Sequence, residues 1–258
     1  MNPFEFKGRD VWVFGGAGWL GQPLVRLLAE SGASVLCADL ESRAHEWVEK
    51  EGLGDSVTPE SKDVTDLSAT RGLVRARLAG RCVPDGLVIL TTGSSRSNLE
   101  DLTPEESART SHASLTATLF LAREVGAAMA AEGRGSIVLV SSMYGLVAPD
   151  PRVYVAPMNV NPVDYGVCKA GIVQMTRYLG VYWGKTGVRC NCVAPGPFPN
   201  AAVQENEPEF VERLATKTPM GRIGRRHEIA GPAAFLLSDA SSYMTGHTLV
   251  VDGGWTAW

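Results

Sequence analysis

Two residues four apart, Tyr165 and Lys169 in the stretch Y-G-V-C-K, carry chemistry if a helix puts them on one face. Ile172, Met175 and Leu179 downstream keep helical spacing. A phenol is a weak acid with a reference pKa of about 10. A lysine ammonium beside it favours the phenolate and lowers that value. The pair then suits general acid–base work on an alcohol or a carbonyl. The same spacing also describes an ordinary solvated helix face, so the rest of the chain must agree. A third group, Ser142, follows the apolar run Ser136–Val140. At the carboxyl end of a strand its hydroxyl would donate to a substrate oxygen and stabilise developing negative charge.

The elements that must hold these groups can be read in order. Val11–Phe14 is a buried strand, followed by G-G-A-G-W-L-G and a helix with Leu24, Leu27 and Leu28 inward that ends at Gly32. A glycine-rich turn between strand and helix lets backbone N–H groups approach a pyrophosphate, a task for Gly15, Gly18 and Gly21. The next strand, Ser34–Ala38, runs to Asp39. A carboxylate there accepts from adenosine ribose hydroxyls and repels a 2′-phosphate, so NAD is expected over NADP. Asp39 as a simple strand or helix cap is the competing reading. Then come a helix at Glu41–Lys50, a strand at Val57–Lys62 with Asp63 and Val64 after it, a helix at Leu67–Leu78, and a strand at Gly86–Leu90 running into T-T-G. Thr103–Glu132 reads as one long helix opening T-P-E-E. Strands at Ser136–Val140, Val188–Val193 and Thr248–Val251, with a helix at His227–Leu237, complete the pattern. The alternation predicts an α/β chain: a doubly wound parallel sheet of about seven strands with helices on both faces. Ligands of such sheets sit at the carboxyl ends of the strands. No linker splits the chain, so one domain over 1–258 is expected, with its nucleotide half at about 1–135 and its catalytic half at about 136–258.

Composition narrows the function classes. The 258 residues are 45% apolar and 20% charged, with a net charge of −4. That balance, with no Lys/Arg run, argues against nucleic acid as a partner. No apolar stretch approaches membrane-spanning length. The opening M-N-P-F-E-F-K-G-R-D lacks the basic-then-apolar order of a signal peptide, so a cytoplasmic location is expected. Of the five cysteines, Cys190 and Cys192 read as strand packing, and Cys37, Cys82 and Cys168 are assigned no chemistry; no metal-ligand spacing occurs.

In this order the motifs resemble those of the short-chain dehydrogenases/reductases over nearly the whole chain. The resemblance rests on G-G-A-G-W-L-G, Asp39, Asp63-Val64, S-S-M-Y-G, Y-G-V-C-K, N-C-V-A-P-G and T-G-H-T-L-V-V-D-G-G-W. It implies a Rossmann fold with Tyr165 as general acid/base and Ser142 orienting the substrate oxygen. Lys169 would bind the nicotinamide ribose and lower the tyrosine pKa. Asp63 and Val64 would flank the adenine, and Pro195 and Gly196 would lie against the nicotinamide. Trp19, Leu20, Leu40, Thr91, Thr92, Gly93 and Phe198 complete the implied NAD site. A homotetramer, or a homodimer, is implied as well.

Three departures stand out. The G-x-x-G-x-x-G spacing resembles the extended branch, whereas the length and C-terminal half resemble the short, one-domain branch. L-T-T-G at Leu90–Gly93 replaces the usual N-N-A-G. Ser114 takes the place of the asparagine that completes the catalytic set, where it would hold a water in the proton relay.

Between Ser142 and Tyr165 the chain carries a long proline-rich segment, stiff and irregular. It would wall the substrate site with Tyr144, Arg152, Tyr154, Met158 and Asn159, or else be a surface excursion. Pro197 joins that substrate set. The stretch from P-G-P-F-P-N to about Arg226 resembles a substrate lid, with one short amphipathic helix in N-E-P-E-F-V-E-R-L-A. Arg222, Arg225, Arg226 and His227 fit either a salt-bridged patch or an anion site. The tail Trp255–Trp258 suggests burial against another subunit. The leading expectation is an NAD-dependent dehydrogenase or reductase acting on a carbohydrate, polyol or sugar hemiacetal. An NAD-retaining epimerase or dehydratase, and a non-catalytic NAD-binding sensor, are the alternatives.

Overall fold

The computed structural model describes residues 2–80 and 83–258; Cys82 lies outside them. Seven strands form one parallel sheet in the order β3-β2-β1-β4-β5-β6-β7. They are β1 (Asp10–Phe14), β2 (Ser34–Asp39), β3 (Val57–Ser61), β4 (Gly86–Ile89), β5 (Gly135–Val140), β6 (Val188–Pro195) and β7 (Thr248–Val251). The order reverses between β1 and β4, and a doubly wound sheet opens its crevice at such a switch point.

Helices cover both faces because the central strands β1, β2, β4, β5 and β6 are buried on both sides. On one face α1 (Gly21–Glu30) buries Leu24, Val25 and Leu28, and α9 (Ala230–Leu237) joins it against Val11, Val13, Val88 and Val138. On the other face α3 (Leu67–Ala79), α5 (Ala117–Ala131) and α6 (Val163–Trp183) pack on Trp12, Phe14, Leu87, Ile137 and Leu139. The helix α2 (Arg43–Glu51) follows β2.

The long helix expected over Thr103–Glu132 is interrupted. It starts with a capping box between Thr103 and Glu106 and Pro104 at the first turn, as T-P-E-E predicts, in α4 (Pro104–Ser111). A wider π turn at His112–Thr116 then separates α4 from α5. Insertions of this kind recur at functional sites, and Ser114 lies in this one.

The helix expected in N-E-P-E-F-V-E-R-L-A is α8 (Pro208–Thr216), and a further short helix, α7 (Ala201–Asn206), precedes it. Pro208 disfavours helical geometry at Glu207, which sits at φ −131° and ψ 54°. The helix predicted from His227 begins instead with a 3-10 turn at Arg226–Ile229. Between Ser142 and Tyr165 the chain is irregular, with short 3-10 turns at Met143–Gly145 and Pro151–Val153. Lys217 Nζ meets Asp150 Oδ2 at 2.6 Å, Arg213 Nε donates to Val153 O at 2.8 Å, and Phe210 packs on Tyr154 with ring centres 5.5 Å apart. The lid therefore rests on the proline-rich wall. Among the described residues no helix is long and apolar enough to cross a membrane.

Candidate active site

The glycine-rich turn is shaped by contacts that a side chain would break. A Cβ on Gly21 would lie 2.3 Å from Gly15 O, and Gly15 itself has φ +82°. The turn folds tightly at the start of α1, beside the residues that follow β4. Two cavities open there and share Gly15, Gly18, Leu90 and Thr92. The first, about 240 Å³, is bordered by Asp39, Leu40, Asp63, Val64 and Thr91, together with Arg43 and Lys62. The second, about 290 Å³, is bordered by Trp19, Leu20, Gly21, Ser142, Tyr165, Lys169, Pro195, Gly196 and Phe198. Together they form one cleft along the carboxyl edge of the sheet. Its dimensions and glycine cradle fit a dinucleotide, and Thr91 Oγ1 is buried in it without a partner. Such an orphaned group calls for a ligand or water.

Asp39 is buried at one end of the cleft. Its Oδ2 accepts from Ala17 N at 3.0 Å, its Oδ1 accepts from Leu40 N at 2.8 Å, and Arg43 Nη1 lies 3.3 Å from Oδ1. The carboxylate thus ties β2 to the glycine-rich turn as well as facing the cavity.

At the other end α6 delivers Tyr165 and Lys169 to one side of the cleft, as their spacing predicts. The helix comes close to the end of β5 because residue 145 is glycine: a Cβ there would stand 2.6 Å from the Lys169 backbone. Ser141 Oγ donates to Lys169 O at 2.7 Å. Ser142 borders the same cavity as Tyr165. The Tyr165 hydroxyl is pushed above its ordinary pKa, by burial first, with the Ser142 hydroxyl pulling it down. The lowering expected from Lys169 does not appear in this structure, where burial dominates the acidity of Tyr165. Lys169 Nζ donates to Val140 O at 3.0 Å and stands 5.4 Å from the centre of the Tyr165 ring. Burial lowers its pKa from 10.5 to about 8.

Ser114 and the chain after β4 lock together. Gly93 N donates to Ser114 Oγ at 2.9 Å, and Thr92 Oγ1 lies 3.3 Å from it. Gly93 and Ser114 do not border the cleft's cavities. The serine hydroxyl holds the loop after β4 to the π turn. Asp164, one residue before Tyr165 and buried, does similar work: its Oδ1 accepts from Ser95 Oγ at 3.0 Å and from Tyr165 N at 2.9 Å.

The expected substrate wall divides. Tyr144 and Tyr154 meet through their hydroxyls at 2.7 Å, and Tyr144 packs edge-on against Trp255 at 6.5 Å. Trp255 is 8% exposed within its own chain, so its expected burial against another subunit is overturned; Asp252 folds the tail back through Gly254 N and Thr256 N. Trp258 is 80% exposed. Arg152 points into solvent, paired with Asp150, and Asn159 is exposed. Met158 borders a separate cavity between the wall and α7–α8. Pro197 borders a small pocket with Met220, Arg222 and Glu228 rather than the main cleft. Proline-rich sequence gives no periodicity from which to tell inward from outward residues, so Arg152, Met158 and Asn159 share one expectation with Tyr154, while Pro197 follows β6. Ser141, Val140, Arg43 and Lys62 were missed. Ser141 had a signal, standing beside Ser142, whereas the other three enter the cleft only through strand register and the packing of α2.

A family model described as Enoyl-(Acyl carrier protein) reductase matches residues 17–256. A 7alpha-hydroxysteroid dehydrogenase of Bacteroides fragilis is 31% identical over 99% of this chain and 96% of its own. The L-tagatose-forming galactitol 2-dehydrogenase of Cereibacter sphaeroides is 33% identical over 99% and 98%. A crystal structure from Beutenbergia cavernae, of a protein provisionally described as an NAD(P)-dependent gluconate 5-dehydrogenase with NADP bound, superposes with a TM-score of 0.86 at 30% identity, covering 100% of both chains. With this parallel sheet, this cleft and these matches, the chain belongs to the short-chain dehydrogenase/reductase family.

Proposed function

We propose that the protein is an NAD-dependent oxidoreductase that interconverts a secondary alcohol, or a sugar hemiacetal, with its carbonyl, and that its substrate is a carbohydrate or polyol. One observation carries the reading: a single cleft runs from Asp39 to Ser142 and Tyr165. The dinucleotide would lie on Gly15, Gly18, Trp19, Leu20 and Gly21, with Asp39, Leu40, Asp63, Val64, Thr91 and Thr92 at the adenosine end and Lys169, Pro195, Gly196 and Phe198 at the other. Nicotinamide supplies the hydride acceptor or donor. Tyr165 receives the alcohol proton in oxidation and returns it in reduction. Ser142 donates to the same oxygen and favours negative charge on it. Lys169 supplies the positive charge against which a phenolate can form, and Ser141 and Gly145 hold it there.

Asp39 supports NAD, since a 2′-phosphate would meet its charge. Arg43 and Lys62 border the same cavity and favour a phosphate, but Arg43 is engaged by Asp39 itself. The polyol reading is supported by the paired hydroxyls of Tyr144 and Tyr154 between apolar rings, and by likeness to the galactitol enzyme. Self-association, as a homotetramer or a homodimer, is supported by exposed Val181 and the stacked pair Tyr178 and Tyr182 on α6.

The test is reduction of NAD and of NADP across polyols, sugar acids and hydroxysteroids, followed by absorbance, with wild type and Tyr165→Phe. Turnover on a polyol with NAD is expected, falling about 10²–10⁴-fold in the variant, the usual weight of a positioned acid–base group. Full activity in Tyr165→Phe, or binding of the dinucleotide with no turnover of any alcohol or carbonyl, would refute it.

A further inference from the structure

Beside the glycine-rich turn stands a cation with no acidic partner among the described residues. Arg226 opens the 3-10 turn that leads into α9, and its guanidinium carbon lies 5.0 Å from the centre of the Trp19 ring. Its Nη1 donates to Gln22 Oε1 at 3.0 Å. Gln22 Nε2 donates to Ala17 O at 3.0 Å, and Ala17 N donates to Asp39 Oδ2 at 3.0 Å. A line of hydrogen bonds thus runs from residue 226, through the turn, to the carboxylate at the end of β2. The neighbouring Arg222 behaves differently, held by both oxygens of Glu228 at 2.7 Å. Trp19 borders the cleft, and its indole Nε1–H is buried without an acceptor.

We propose that Trp19 and Arg226 form a clasp for the diphosphate of the dinucleotide, a proposal that rests on the dinucleotide reading above. The backbone N–H groups of the turn and the start of α1 offer an anion only fractional positive charge. A dianionic diphosphate leaves room for a full cation nearby. The indole face seats a guanidinium electrostatically, and the bond to Gln22 fixes where its charge stands. Because Arg226 follows the lid segment, that segment's far end is fastened to the turn that receives the cofactor.

The test is NADH binding, or NADPH if that binds more tightly, followed by fluorescence at low and high salt, beside ADP-ribose and adenosine. Arg226→Gln is expected to weaken the dinucleotide and ADP-ribose about fivefold, the scale of a partly exposed charge contact. It should flatten the salt dependence and leave adenosine, which has no diphosphate, unchanged. Arg226→Lys should recover most of the loss. Trp19→Ala should weaken the same ligands, and the double variant should lose no more than the worse single one. Equal dinucleotide affinity in wild type and Arg226→Gln overturns the clasp. So does an equal loss for adenosine, which marks a turn merely displaced, and so do additive losses in the double variant. Failure of wild type to bind either dinucleotide overturns the underlying reading instead.

Discussion

Replacing Lys169 with methionine should stabilise the fold near neutral pH while abolishing activity. The side chain is buried, and the protein lowers its pKa from 10.5 to about 8. A lysine whose folded pKa is depressed binds fewer protons in the folded state than in the unfolded one. Stability therefore rises with pH between the two values, and the charged form weakens the fold below about 8. The difference corresponds to roughly 3 kcal/mol at pH 7, at about 1.4 kcal/mol for each pKa unit. Methionine is similar in length and carries no charge, so it removes this cost. It also removes the bond to Val140 O and leaves that carbonyl without its partner, a loss of about 1–2 kcal/mol. The expected net effect at pH 7 is a gain of about 1–2 kcal/mol. At pH 10 most of the penalty has gone from wild type as well, so the gap should move against the variant by roughly 2.5 kcal/mol and change sign. Urea denaturation of both proteins at pH 7 and pH 10 measures this. A variant less stable at pH 7, or a gap that does not change with pH, would refute the reasoning.

Two further predictions follow from the cofactor end. Gly21→Ala places a Cβ 2.3 Å from Gly15 O, so the turn must open; dinucleotide affinity should fall at least tenfold and the melting temperature should drop, as calorimetry with and without NADH would report. Asp39→Asn keeps an acceptor for Ala17 N but removes the charge. It should shift the ratio of kcat/KM for NAD over NADP at least tenfold towards NADP, and an unchanged ratio would show that Asp39 does not set the preference.

Much of this molecule was legible in one dimension because its signals are local. Strand periods end where polar turn residues begin, so all seven strands were found within a residue or two of their ends. Tyr165 and Lys169 share a face because a helix repeats every 3.6 residues, and Gly15, Gly18 and Gly21 mark a turn where backbone must meet backbone. Ser142 could be placed because it directly follows a strand.

Other features depend on contacts between distant segments, and no local pattern encodes those. The π turn at Ser114 is matched to Gly93 across the sheet edge. Trp255 is buried because Asp252 turns the tail onto Tyr144. Whether Arg152, Tyr154, Met158 or Asn159 faces the cleft depended on how an aperiodic segment lies under α8. Local spacing likewise set the identity and order of the candidate groups. Tertiary burial set their acidities, since removing water from Tyr165 and Lys169 raises one and lowers the other.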